Sequence, residues 1–155
     1  MGNELIFKKA SIKDIEILTQ TRVEVLRAAN KLSEDVDISM VEKESYAYYE
    51  DCFEEDSHVA YIVYENNKFV GCGGVSFYKV MPTYHNPSGK KAYIMNMYTR
   101  PEHRRKGIAL MMLDLLVNQA KERNIEQISL EATAMGRPVY ERYGFTNMRD
   151  EMELL

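Results

Sequence analysis

A mixed α/β fold, with one sheet covered by helices on both faces, is what this sequence predicts. Three observations predict it. Strand-like and helix-like patterns follow one another in the order β-α-α-β-β-β-α-β-α-β. The 155 residues suit one domain, 1–155, with one sizeable core. With 45% hydrophobic and 28% charged residues, the composition is that of a folded chain rather than a disordered one.

Each element has its own signal. Glu4 to Lys9 reads as a first strand. Ser11 followed by Asp14 is a capping-box start, and Ile15, Leu18, Arg22, Val25, Leu26 and Ala29 then recur at helical spacing. The polar stretch Leu32 to Ile38 is a loop able to cover a site, and Ser39 with Glu42 reads as a second capping box opening a helix to about Glu54. Val59 to Tyr64, β-branched and aromatic, is a strand. Asn66 and Asn67 suit a tight turn, so Phe69 to Lys79 returns as a hairpin strand whose Gly71, Gly73 and Gly74 suggest a bulge or a close backbone approach. Met81 to Lys90, with two prolines, is a loop before a strand at Ala92 to Thr99. From Gly107 a helix follows, its apolar face marked by Ala109, Met112, Leu113, Leu116, Val117 and Ala120. Gln127 to Leu130 is a short strand, Arg137 to Arg142 a short helix stopped by Gly144, and Phe145 onward supplies one or two closing strands.

Composition narrows the function. A net charge of -4 speaks against a nucleic-acid partner, which makes a local basic cluster more informative. No apolar run approaches the roughly 20 residues of a membrane span, and Met1 to Ala10 has no signal-peptide core. Cys52 and Cys72 form no metal-like pattern with His, so no metal is expected and a reduced, cytoplasmic chain is.

The basic cluster, Arg100, His103, Arg104, Arg105 and Lys106, lies between a strand and a helix. The first N–H groups of a helix lack partners and the helix dipole adds positive charge there, which suits a pyrophosphate. Gly107 permits close approach, Ile108 follows, Ala109 keeps the wall low, and Arg104, Arg105 and Lys106 can screen phosphate charge. Spacing alone also allows a merely solvated basic turn. Neither the Walker nor the Rossmann glycine pattern is present.

Arg104-x-x-Gly107-x-Ala109 resembles the acyl-CoA loop of the GCN5-related N-acetyltransferase (GNAT) superfamily. Tyr93 to Thr99 with Arg100-Pro101-Glu102 looks like that family's fourth strand and its exit, and Pro138 to Phe145 like its tyrosine signature, with Val139 for the usual Leu. The element order agrees along the whole chain. The resemblance implies a largely antiparallel central sheet and an N-acetyltransferase moving acetyl from acetyl-CoA to a primary amine of a small molecule or protein in a ternary complex. A non-catalytic acyl-CoA sensor on the same fold is the alternative. It further implies that the backbone of Met97 and Thr99 holds the pantetheine arm, that an N–H near Met97 or Tyr98 polarises the thioester, and that Tyr140 is the general acid. Two departures stand out. Thr133, expected among the residues that bind the cofactor, occupies a position where the family often has Asn, and its hydroxyl can still hydrogen-bond but reaches less far; Asn96 stands on the strand that carries a glutamate base in other members.

Other candidates are weaker by pattern. Glu131, at the end of its strand, is either a candidate base or only a surface or structural carboxylate, and water relaying the amine proton to solvent would serve as well as a base. Strict alternation puts Asn96 on one face with Ile94 and Tyr98, opposite Met95 and Met97, where it either orients the amine or is a satisfied interior amide. Arg22 interrupts the apolar face of the first helix, where it can bind a substrate carboxylate or simply snorkel outward. Glu34, Asp35, Asp37, Glu42 and Glu44 favour a cationic acceptor or are a solvated acidic loop. The sequence is compatible with a homodimer and does not fix the oligomeric state.

Overall fold

The computed structural model describes residues 4–155. Met1, Gly2 and Asn3, which open the segment read as lacking a leader, lie outside the described residues. In chain order come β1 (Leu5–Lys9), a 3-10 turn (Ile12–Asp14), α1 (Ile15–Asn30), α2 (Ser39–Glu55), β2 (His58–Glu65), β3 (Lys68–Lys79), β4 (Lys90–Thr99), a second 3-10 turn (Pro101–His103), α3 (Ile108–Glu122), β5 (Gln127–Leu130) and α4 (Arg137–Tyr143). The sheet has five strands in the order β1-β2-β3-β4-β5. The first four form an antiparallel meander, and β5 joins β4 in parallel after the α3 crossover. None of the described helices is long and apolar enough to cross a membrane.

Local chemistry explains the turns. Asn66 and Asn67 both take left-handed angles, φ 52° and 64°, the geometry that a two-residue hairpin loop requires. The Ser11–Asp14 capping box forms, and Asp14 also binds Lys8 Nζ at 2.7 Å. The second expected box does not form. Ile38 occupies the cap of α2 and Ser39 is already helical. Asp37 Oδ1 accepts the Ser39 N–H at 2.9 Å, a two-residue turn that satisfies this donor before a Ser39–Glu42 box could.

The expected closing strands are also missing: among the described residues no strand follows Leu130. Residues 146–155 are all exposed. Their apolar members, Met148, Met152, Leu154 and Leu155, alternate with charge but pack on no core, and an uncovered strand is not stable by itself.

Two cores flank the sheet. Val59, Tyr61 and Val63 of β2 face α3, packing with Ile108, Met112, Leu113 and Leu116. The alternating Ala60 and Ile62 face α1 and α2, packing with Leu18, Val25, Tyr49 and Cys52. Each Val, Leu, Ile or Met among them contributes roughly 1.5–3 kcal/mol when fully buried. Glycine sets the spacing on the α3 side, since a Cβ on Gly73 would lie 2.6 Å from Met112 Cγ.

Candidate active site

Among the described residues the sheet opens between β4 and β5. Pairing between β4 and β5 runs from Lys91 opposite Gln127 to Ile94 opposite Leu130 and ends there. From Met95 to Thr99 the edge of β4 that faces away from β3 therefore has no strand beside it among the described residues.

A bulge coincides with the end of this pairing. Met95 lies opposite Gly74 and Tyr98 opposite Cys72, so β4 carries one more residue than β3 between these pairs. Asn96 takes the left-handed conformation, φ 60°, that absorbs it. The extra residue reverses the alternation. Ile94 and Met97 belong to the α3 core. Met95 meets Ser76, Tyr98 belongs to the α1–α2 core, and the Asn96 side chain reaches Arg22 of α1. Asn96 thus sides with Tyr98 but is opposite Ile94, against the expectation from strict period two.

Beyond β4 the chain makes the basic turn. Arg104 folds back, its Nε donating to Thr99 O at 3.1 Å, which ties the turn to the end of β4. Arg105 has φ 66° and Gly107, the cap of α3, has φ 80° with no side-chain cap bond. Nothing lies within 4 Å of where a Gly107 Cβ would be, so the turn has open space in front of it. The first intrahelical bond runs from Met111 N to Gly107 O at 3.1 Å, and helix geometry leaves the preceding N–H groups, Ile108 and Ala109 among them, directed out of the helix end. The Ile108 side chain is buried, so its backbone alone faces the turn. Lys106 and His103 share the Glu65 carboxylate at 3.6 and 3.1 Å.

Tyr140 is buried in the α3-side core, in one cluster with Ile94, Met97, Ile108 and Met112. The hydroxyl end of its ring lies against Gly136, where a Cβ would come within 3.0 Å. Burial raises the phenol above its ordinary pKa, so it holds its proton at neutral pH. Thr133 serves the turn into α4: its Oγ1 accepts Gly136 N–H at 3.1 Å and its carbonyl accepts Arg137 N–H at 2.9 Å. Glu131 is exposed just past β5, close enough for its charge to act on Tyr93.

On the other face, Arg22 Nη1 donates to Asn96 Oδ1 at 2.9 Å. The structure therefore joins two candidates that the sequence offered separately. It also adds groups the sequence did not flag. Arg100 grips Glu24 with two bonds of 2.9 Å, and this carboxylate is held below its usual pKa by Arg100, with burial opposing and the Tyr98 hydroxyl assisting. Burial, then the bond to Glu24, pushes Tyr98 up to about 12. His58 Nδ1 lies 2.9 Å from Ser76 Oγ and 3.2 Å from Tyr48 OH. Partners 76 residues apart, as Glu24 and Arg100 are, leave no local signal in sequence. Among the described residues no group of three or more His, Cys, Asp or Glu converges as a metal site requires.

Comparison with known proteins gives a family and solved structures of the same fold. The profile of the Acetyltransferase (GNAT) family matches residues 26–145. The chain is 32% identical over 87 residues to "Uncharacterized N-acetyltransferase YsnE" of Bacillus subtilis (strain 168); the match covers 53% of this chain and about half, 52%, of that relative's length. Among solved structures it is similar to a "predicted acetyltransferase with acetyl-CoA" from Clostridium acetobutylicum, with 40% identity, a TM-score of 0.88 and coverage of 98% of this chain and 96% of that one. A "GCN5-related N-acetyltransferase" from Ralstonia eutropha JMP134 shares the fold at 22% identity, with a TM-score of 0.82 and coverage of 98% and 99%.

Proposed function

Since the chain belongs to the Acetyltransferase (GNAT) family, we propose that it moves an acetyl group from acetyl-CoA to an acceptor amine by direct attack in a ternary complex. The support is one coincidence: the unpaired edge of β4, Met95 to Thr99, runs directly into the open N-terminus of α3. A strand edge can take the amide groups of a pantetheine arm, and a helix N-terminus can take a pyrophosphate. Each feature fits one half of coenzyme A, and they are joined in the order that molecule needs.

In this reading the pyrophosphate sits on the N–H groups at Gly107, Ile108 and Ala109, with Arg104, Arg105 and Lys106 around it. The pantetheine arm lies along Met97 and Thr99. The thioester reaches the bulge, where a backbone N–H near Met97 or Tyr98 polarises its carbonyl. The neutral amine attacks that carbon, the C–S bond breaks, and Tyr140 donates its proton to the departing sulfur. The proton lost by the amine leaves through water or Glu131. Thr133 acts by shaping the turn that carries Tyr140. Cys52 and Cys72, buried and unbridged, suit the reducing cytoplasm.

Two measurements test the proposal. Acetyl-CoA at about 100 times its Kd should stabilise the protein by roughly 2.7 kcal/mol, read as a rise in Tm. Gly107→Val places a β-branched residue at φ 80° and should remove that rise while leaving the variant folded. A panel of amines should release free thiol from acetyl-CoA. Retention of the full Tm rise in Gly107→Val would overturn the phosphate site. Acetyl-CoA binding with no thiol release from any amine would leave an acyl-CoA-binding module.

A further inference from the structure

The opening in β4 has a second lip, on the α1 side, and it carries a charge that the chemistry above does not use. Arg22 is half-buried there, and one of its five N–H groups is fixed by Asn96 Oδ1 at 2.9 Å. Among the described residues no carboxylate pairs with it. The acid two residues along, Glu24, is already gripped by both arms of Arg100.

Its other surroundings are neutral at pH 7. Burial, reinforced by the Arg22 charge, holds His58 down to about 4. Burial pushes the Cys72 thiol up to about 12 and raises Tyr49 as well. A guanidinium on such ground is a strong site for an anion, because the low-dielectric surroundings that penalise it alone strengthen any pair it forms. A planar fork anchored on one side presents its remaining donors to a carboxylate in two-point fashion.

We propose that the acceptor carries a carboxylate near its reacting amine, an amino acid or a close relative of one, and that Arg22, positioned by Asn96, selects it. The inference rests on acetyl transfer taking place at the β4 opening. Asn96 is the bulge residue itself, so an anion on Arg22 lies within a few bonds' reach of the proposed thioester. The acidic stretch that pointed to a cationic acceptor is solvated instead. Glu34, Asp35, Asp37, Glu42 and Glu44 are all exposed, and Asp37 is engaged by the Ser39 N–H.

The test is thiol release from acetyl-CoA with matched sets: each amino acid beside its carboxamide and its decarboxylated amine, with spermidine as a cationic control. At least one free acid should exceed its carboxamide in kcat/KM by about tenfold or more, the scale of a lost charged hydrogen bond. Arg22→Met, which keeps an apolar stem, should raise KM for the acid at least as much and erase the preference. The KM for acetyl-CoA and the Tm rise it causes should stay unchanged, and Arg22→Lys should restore part of the preference. Carboxamides or spermidine serving as well as the acids, or an unchanged preference in Arg22→Met, would overturn the proposal. If no amine turns over, N-acetylamino acids titrated into the CoA-loaded protein decide. Binding that is lost in Arg22→Met supports it; no binding, or equal binding, overturns it. If Arg22→Met does not fold, the wild-type ratio of acid to carboxamide and its decline in Arg22→Lys decide instead, and an undiminished ratio in Arg22→Lys counts against the proposal. Failure of acetyl-CoA itself to bind would remove the proposed function and this inference together. Turnover confined to amines without a carboxylate would remove only the inference.

Discussion

Tyr140 is a phenol whose ring is packed but whose hydroxyl makes no hydrogen bond within the protein among the described residues. A donor left without a fixed partner is available to a ligand, and burial of the ring keeps it protonated. Tyr140→Phe preserves the ring and its edge contact with Phe145. It should therefore lower kcat by roughly 10²-fold, within the range of general acid catalysis, with little change in KM for acetyl-CoA. Tyr143 is the control. Its hydroxyl donates to Asp114 at 3.0 Å in an exposed pair, so Tyr143→Phe should leave turnover nearly intact. Steady-state kinetics on one good acceptor decides; normal kcat in Tyr140→Phe would remove its role. The two tyrosines look alike in sequence, three positions apart on one short helix, and only the family resemblance separates them. Arg22 and Asn96 are each visible as polar residues on apolar elements, but their bond spans 74 residues and no local pattern encodes it.

The bulge in β4 is a device of the element rather than of one side chain. Asn tolerates left-handed angles because its amide bonds locally, and glycine tolerates them for lack of a Cβ. A β-branched residue at φ 60° is strained by about 1–3 kcal/mol. Asn96→Gly should therefore keep acetyl-CoA affinity within about threefold, while Asn96→Val should weaken it by about tenfold or more by favouring an unbulged strand. Calorimetric titration of both variants checks this. An equal loss in the two would mean that the amide, not the bulge, maintains the opening. This is also where reading by period fails. All five strands are legible from β-branched runs and turn residues, yet one inserted residue reverses every side chain after it. The second capping box fails for a related reason, since Asp37 lies just outside the Ser39–Glu42 motif and captures the donor first. The closing strands fail because alternation in residues 146–155 has no surface to pack against.

Across the whole molecule, order and layering are legible because helices on both faces leave β2 buried on both sides, and such strands read as continuous apolar runs. What the pattern does not show is His58, buried at the start of β2 beneath α2. Burial, then Arg22, lowers its pKa from 6.5 to about 4. The unfolded chain therefore takes up this proton first as pH falls, and the unfolded state binds more protons throughout that window. Stability should be flat above pH 6.5 for this group. It should fall between pH 6.5 and 4, by on the order of 3 kcal/mol at most. Asp14 and Glu24, whose carboxyls are held low, lose their contribution from their ordinary values of 3.8 and 4.5 downward, so Glu24 overlaps only the acid foot of that window. Urea midpoints at several pH values should show the slope, and His58→Gln should flatten it. A wild-type stability constant from pH 6.5 to 4.5 would refute the assignment.

The two cores also divide the approaches to the opening. The α3 helix end and Tyr140 lie on one side of the sheet; Arg22 and Glu24 lie on the other. On the proposed function the sheet is then a wall with a window between β4 and β5, and the reactants would come to it from different rooms. Neither stands in the other's doorway. If acetyl transfer runs as proposed, spent carrier and finished product would each back out the way it came, in either order, so traffic through the window would not need to queue.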